Sequence, residues 1–274
     1  MRKHGVGSSL RIDRLDQFYT DPAYAFYFWN KVHTLLDLDS FDTFVEPCAG
    51  TGSFYELMPE DKRYGVDIDP QLDGIIKQDF LTWSIPIIPY GRVLTLTNPP
   101  FGRNSNLAIR FFNHAATFSS AIAMTVPRSF KKTTLHDRLN PRFKLIWEED
   151  TPGKSFVNSK NEHVDVKTVS QIWKSNLLDK RTKKEYKHKD YFTFVKFEDK
   201  HDLRLRRIGW NSGKFYDSVE EKEKGQFFFI KVSDKNVLDK IKSIDFAECR
   251  QNTGGGLSIS RKDVIELFFE KDNN

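Results

Sequence analysis

The segment Phe44 to Phe54, FVEPCAGTGSF, constrains the fold more than any other stretch of the chain. An apolar run meets Pro47 and then Gly50 and Gly52, so a strand ends in a tight turn whose bare backbone can approach a ligand. Alone, Gly-x-Gly also describes a strand-to-helix turn that holds nothing. The next strand, Tyr64 to Ile68, narrows the choice, because it runs into Asp67-Ile68-Asp69, with Asp67 17 residues beyond Gly50. That is where an acid at the edge of a nucleotide-type crevice meets ribose hydroxyls. No third glycine and no Lys-Ser/Thr pair follows, which disfavours a dinucleotide or a P-loop triphosphate.

A second feature lies at the end of another apolar strand, Val93 to Thr97, where Asn98-Pro99-Pro100-Phe101 follows. Each proline removes a backbone donor and fixes its own φ, so the turn is stiff and its carbonyls are free to accept. The Asn98 side-chain amide and the Pro99 carbonyl together suit the two hydrogens of one amino group, with Phe101 as a flat face beside them. Around these two turns the chain alternates. Asp21 caps a helix that starts at Pro22, within Leu15 to Leu36, and Ser53 to Leu57 opens a short helix. Leu107 to Phe118 and Thr133 to Leu139 read as further helices, and Ser120 to Val126 and Phe143 to Trp147 as strands. Strands alternating with helices imply a doubly wound α/β sheet.

Beyond Trp173 the pattern changes. Lys174 to Asp190 carries seven Lys/Arg and three acids, a solvated connector. Short apolar runs (YFTFVKF, QFFFIKV) and a helix-like DVIELFF follow, a small α+β region. The division expected is residues 1–175 for the sheet domain and 176–274 for the smaller region.

EPCAGTGSF, GVDIDP, QDF and TNPPF, in that order, resemble the S-adenosylmethionine-dependent methyltransferases that modify exocyclic amino groups, above all the adenine-N6 enzymes. Gln17-Phe18-Tyr19-Thr20-Asp21-Pro22 is similar to the motif that precedes the glycine turn in the subgroup ordered cofactor segment, catalytic segment, target-recognition region. The resemblance spans residues 15 to 173. It implies a Rossmann-like class I methyltransferase sheet of seven strands, the last antiparallel and supplied by Val166 to Trp173. It further implies that Tyr19, Thr20, Glu46, Pro47, Gly50 and Gly52 meet the methionine end of S-adenosylmethionine, with Asp67 on the ribose and Asp69 as the alternative. Ile68 then lies against the adenine ring, Asp79 accepts from its amino group beside Phe80, and Asn98, Pro99, Pro100 and Phe101 form the target site. Phe101 stands where many relatives place tyrosine, so stacking survives and a hydroxyl is lost.

The implied activity is transfer of a methyl group to N6 of adenine in DNA, with RNA the second reading and protein glutamine methylation the third. A noncatalytic subunit of the same fold is a further alternative, opposed by the intact glycine turn and Asn98. A net charge of +5 and a pI near 9.0 tolerate a polyanion. Lys131, Lys132, Arg204, Arg206 and Arg207 are the candidate phosphate contacts, with Trp210 near the arginines. His114, His136 and His163 lack metal-ligand spacing, and Cys48 reads as a packing residue. Gln251 to Gly256 reads as a flexible turn rather than an anion nest. Two distant cysteines argue against a disulfide scaffold. No apolar stretch approaches the ~20 residues of a membrane span, and Met1 to Arg11 has no signal core. The expected setting is therefore cytoplasmic or nuclear, without a membrane.

Overall fold

The computed structural model describes residues 18–86, 91–176 and 178–270. Leu15 to Gln17, the start of the first expected element, lie outside them, as does Met1 to Arg11. The chain divides into two compact units: Met1–Val126, Leu145–Val166 and Ser170–Ser175 in the first, and Pro127–Lys144, Lys167–Val169 and Asn176–Asn274 in the second.

In the first unit a short strand, β1 (Tyr19–Thr20), leads into helix α1 (Pro22–Leu35). The helix starts there for two local reasons. Pro22 occupies the first turn, and the Asp21 carboxylate accepts from the N–H groups of Ala23 at 2.9 Å and Tyr24 at 3.3 Å. Its inward face, Tyr24, Ala25, Phe28 and Val32, packs in one core with Phe41, Phe44, Phe54, Leu94, Leu96 and Ile172. Burying a side chain the size of Phe28, which is 0% exposed, stabilises the unit by roughly 2–3 kcal/mol.

The main sheet uses β2 (Thr43–Pro47), β3 (Arg63–Asp67), β4 (Ile76–Lys77), β5 (Val93–Thr97), β6 (Ala121–Pro127), β7 (Phe143–Asp150) and a later strand, β10 (Thr168–Ser175). Between the last two lie β8 (Phe156–Val157) and β9 (His163–Val164), which pair antiparallel with each other, while β1 pairs with β8. The seven strands lie in the order β4-β3-β2-β5-β6-β10-β7. Those from β4 to β6 are parallel to their neighbours. The Arg128 N–H donates to the Lys167 carbonyl and the Ser175 N–H to the Ser120 carbonyl, so β10 runs antiparallel to β6. This is the doubly wound class I sheet with its reversed last strand. The chain leaves β2 toward β3 and later returns to its other side as β5, so the strand order reverses between β2 and β5. In such sheets ligands bind at the carboxyl ends flanking that point.

One expectation fails. No α-helix follows the glycine turn; Tyr55–Leu57 forms a single 3-10 turn instead. Pro59 stands close behind, and its ring disfavours helical backbone at Met58, leaving too few residues for an α-helix. Helix α2 (Asn106–Ala115) forms as read, and its Phe112 meets Trp173 edge-on at 5.4 Å.

In the second unit α3 (Thr133–His136) is shorter than expected. Strands β11 (Phe192–Val195), β12 (Leu203–Arg206) and β13 (Phe227–Val232) form an antiparallel sheet with β13 central. Helices α4 (Lys235–Lys242) and α5 (Arg261–Glu270) share its core, in which Phe192, Leu205, Ile230, Ile241, Val264 and Phe268 are buried. The connector beyond β10 is largely exposed, but Arg181 pins it: its guanidinium donates to the carbonyls of Phe143, His136, Leu139 and Asn140.

Candidate active site

Strand β2 delivers Glu46 and Cys48 to the crevice, and β5 delivers Asn98. Between β2 and β3 the chain turns sharply, with Cys48 at φ 61°, Gly50 at 50° and Gly52 at 84°. Left-handed backbone is free for glycine and costly for Cys48. At Gly50 a side chain would also sit 3.3 Å from the Tyr19 ring, so the turn and β1 approach as closely as they do because the residue is glycine. Asp67 fastens the turn: its Oδ2 accepts the Gly50 N–H at 2.8 Å and its Oδ1 the Asp69 N–H at 2.8 Å.

Glu46 is 3% exposed. The backbone N–H groups of Tyr55 and Phe54, which an α-helix start would have left open, donate to its carboxylate. Its Oε2 has no hydrogen-bond partner, and the residue lines the cleft. Burial pushes the carboxyl well above the usual carboxylate range, against the lowering effect of the Tyr55 N–H; nearby Asp67 pushes it further and the Phe54 N–H opposes.

β1 forms the opposite wall. The Ser53 hydroxyl donates to the Thr20 carbonyl at 2.7 Å. The Asn98 Nδ2 donates to the Phe18 carbonyl at 3.2 Å and to Thr20 Oγ1 at 3.3 Å. A carbonyl only accepts, so this contact fixes the amide's orientation and leaves Oδ1 as its remaining polar atom. Beneath, the Thr97 hydroxyl donates to the Pro47 carbonyl and ties the ends of β5 and β2 together. Phe18, Tyr19, Thr20, Glu46, Cys48, Gly50, Ser53 and Asn98 thus line one cleft.

Of the remaining predicted residues, Pro99 is buried and Pro100 and Phe101 are half-buried beside Asn98. Ile68 is 58% exposed, an apolar side chain directly after Asp67 with nothing covering it. Asp79 is exposed and caps its own turn through the Leu81 N–H at 2.9 Å. Phe80 is buried among Trp83, Phe111, His114 and Phe118. Ser53 and Phe18 were not singled out from the sequence; their contacts depend on β1 folding across the turn, which no spacing encodes.

The cationic candidates lie in the second unit. Lys132 Nζ is 2.7 Å from Asp263 Oδ2, with side chains only 11% and 7% exposed, so its charge is matched internally. Arg206 donates to Gln226, approaches Glu223 at 3.9 Å and lies over Phe227. Arg207 donates to the Gly225 carbonyl at 3.1 Å and lies over Phe228. Arg204 is half-buried on β12, and Lys131 closes the 3-10 turn Arg128–Lys131. Among the described residues no cluster of three or more His, Cys, Asp or Glu is placed to hold a metal, and no helix is long and apolar enough to cross a membrane.

Among solved structures the chain is similar to a candidate RNA methyltransferase from Pyrococcus horikoshii, at 16% identity over 61% of this chain and 88% of that one, with a TM-score of 0.45. It is also similar to the 23S rRNA methyltransferase ErmE, at 14% identity over 59% and 70%, TM-score 0.39. The magnesium protoporphyrin IX methyltransferase of Synechocystis PCC 6803 with bound SAM matches at 11% identity over 56% and 80%, TM-score 0.39. No curated protein matches the sequence. The family model described as the EDM2 methyltransferase-like domain matches residues 38–179. That match runs through more than half of the 274 residues and takes in both strand ends that frame the cleft, and on that ground the chain belongs to the EDM2 methyltransferase-like domain family.

Proposed function

We propose that the chain transfers a methyl group from S-adenosylmethionine to N6 of adenine in nucleic acid, with DNA the favoured polymer and RNA the second. The observation that carries this reading is the state of Asn98. Its Nδ2 is consumed by Phe18 and Thr20, so Oδ1 and the Pro99 carbonyl remain as two acceptors on a stiff turn, a match for the two hydrogens of one amino group.

The cleft suits the cofactor. Glu46 offers an unpartnered, buried carboxylate oxygen to the amino-acid ammonium, and the glycine turn with Tyr19 and Thr20 lines the same end. Asp67 retains a lone pair on each oxygen for ribose hydroxyls, with Asp69 exposed as the alternative, and Ile68 and Asp79 are open for the adenine. When bound, S-adenosylmethionine supplies an electrophilic methyl sulfonium.

The protein's own work is positioning. An exocyclic amino nitrogen is a poor nucleophile because its lone pair is delocalised into the ring. Two fixed acceptors favour a pyramidal nitrogen with the lone pair aimed away from them, and because the acceptors are already oriented, little reorganisation accompanies the reaction. Phe101 stacks on the base and offsets part of the unstacking cost, base–aromatic stacking being worth roughly 1–3 kcal/mol. Lys131, Lys132, Arg204, Arg206 and Arg207 are the side chains proposed to grip the polymer. Lys132, Arg206 and Arg207 are already engaged within their own unit, so any phosphate contact they make competes with those partners.

The test is transfer of tritium from labelled S-adenosylmethionine to DNA, RNA and a protein extract, followed by mass spectrometry of nucleosides. N6-methylated adenine in DNA is the expected product. Label only in RNA shifts the substrate, and label in protein alone refutes the nucleic-acid reading.

A further inference from the structure

Trp210 is 80% exposed, and its setting rules out a loose loop tip. It lies in the turn Gly209 to Gly213 after β12. The Gly209 N–H donates to the Leu257 carbonyl at 2.9 Å, and the Ser212 N–H closes the turn on the Gly209 carbonyl at 2.9 Å. On the exit side the Gly213 N–H returns to the Arg206 carbonyl at 2.8 Å. Arg250 spans the turn from outside, its Nη1 donating to the carbonyls of Trp210 at 3.2 Å and Ser212 at 3.4 Å. Ser212 is 1% exposed, and Gly213, at φ 91°, packs so tightly that a Cβ there would fall 2.7 Å from Phe246. The backbone under Trp210 is thus clamped on every side, while the indole, among the largest apolar surfaces a residue can bury, is left in water.

The surroundings indicate what covers it. Arg250 is bonded only to carbonyls, and no carboxylate lies within 4.0 Å of Arg250, Arg207 or Lys214 among the described residues, in contrast to Arg206 and Lys132. Lys214, at the exit of the turn, is exposed. A flat, exposed ring on a turn whose backbone is clamped offers a face rather than a pocket. Beside uncompensated cations, the complementary partner is planar and carried on a polyanion.

We propose that Trp210 is a stacking platform for an unpaired base of a single-stranded polynucleotide, with Arg250 and Lys214 serving the adjacent phosphates. This rests on the nucleic-acid reading above and adds a contact to it. The experiment is fluorescence-anisotropy binding of labelled single-stranded 12-mers, one DNA and one RNA, to the full chain across a salt series. Trp210→Ala should weaken binding about 5- to 150-fold with the salt slope unchanged, because stacking releases no counterions. Trp210→Phe should recover most of the loss, and Lys214→Gln should flatten the slope instead. An oligomer of abasic sites should bind the wild type as weakly as an ordinary one binds Trp210→Ala. Since the ring is exposed, both variants should keep the wild-type melting temperature and cofactor affinity. Binding by Trp210→Ala within twofold of wild type for both polymers overturns the proposal, as does a wild-type chain that binds neither. Oligomer binding that depends on Trp210 without any methyl transfer would refute the proposed activity and leave the platform standing.

Discussion

Replacing Glu46 with glutamine separates the burial of its carboxyl from its proposed hold on the cofactor. The unfolded side chain titrates near 4.5, and the folded one well above it, because burial opposes the charge. As pH rises from 4.5 toward the folded value, the unfolded chain has released its proton and the folded chain has not. Stability therefore falls with pH through that interval, and the stabilising contribution of the carboxyl is complete only below 4.5. Glutamine does not titrate. The difference between Glu46→Gln and wild type should be small in acid and grow toward pH 8, to the cost of a buried acceptor left unmet, about 1–3 kcal/mol. In a chain of this size that raises the melting temperature of the variant by roughly 2–12 °C. Cofactor binding should move the other way. Losing a carboxylate from a charge-assisted hydrogen bond costs about 1.5–3 kcal/mol, or roughly 10- to 150-fold in affinity. Thermal unfolding without ligand from pH 4 to 8.5, together with calorimetric titration of S-adenosylmethionine, measures both. Calorimetry in buffers of different ionisation enthalpy should also show the wild type releasing a proton on binding and the variant none. Parallel pH profiles would mean that the carboxyl is hydrated in solution, and an unchanged affinity would remove Glu46 from the ligand's reach.

Asn98→Ala should cost about 10²–10³ in turnover, the usual loss for one preorganised contact to a reacting centre, measured by single-turnover label transfer. Because Nδ2 also holds Phe18 and Thr20, the KM for cofactor should rise modestly as well; an unchanged turnover refutes the amino-group reading. Lys132→Met strands the buried Asp263 and should destabilise the second unit by about 3 kcal/mol, seen by calorimetry as a lowered transition with cofactor affinity intact. Burial lowers the His136 pKa from 6.5 to about 4, so its ring stabilises the fold above 6.5 and that contribution is lost as pH falls to about 4. His136→Gln should remove up to about 3 kcal/mol of this acid sensitivity, and a variant as acid-sensitive as wild type would show that other groups carry it.

What could be read from the sequence depended on how local the cause was. β2 and β5 announced themselves as apolar runs because both faces of a parallel strand are buried, and Asp21-Pro22 marks a helix start whatever surrounds it. Asn98 was legible for the same reason, directly following such a strand, whereas Glu46 was reached only through the family resemblance of its motif. The helix after Gly52 was misread because Pro59 lies just beyond the window that suggested it. β8 and β9, two residues each, have no periodicity to detect, yet they support the strand that holds Asn98. Lys132 read as a phosphate contact because Asp263, 131 residues away, is invisible to any local pattern.

The position of β10 has a kinetic consequence. It is the last strand of the sheet to be synthesised, yet it lies between β6 and β7 and is buried from Thr168 to Trp173. During synthesis β6 therefore emerges with an unpaired edge, and β7 has no neighbour in the sheet until Ser175 has left the ribosome. Neither strand can pair with the other in the meantime without occupying the slot that β10 requires. Closure of the sheet is thus a late, long-range event, of the kind that slows folding and leaves sticky edges exposed to other nascent chains. A chain cut just before Thr168 would keep every residue of the cleft and still lose the strand that seals its sheet.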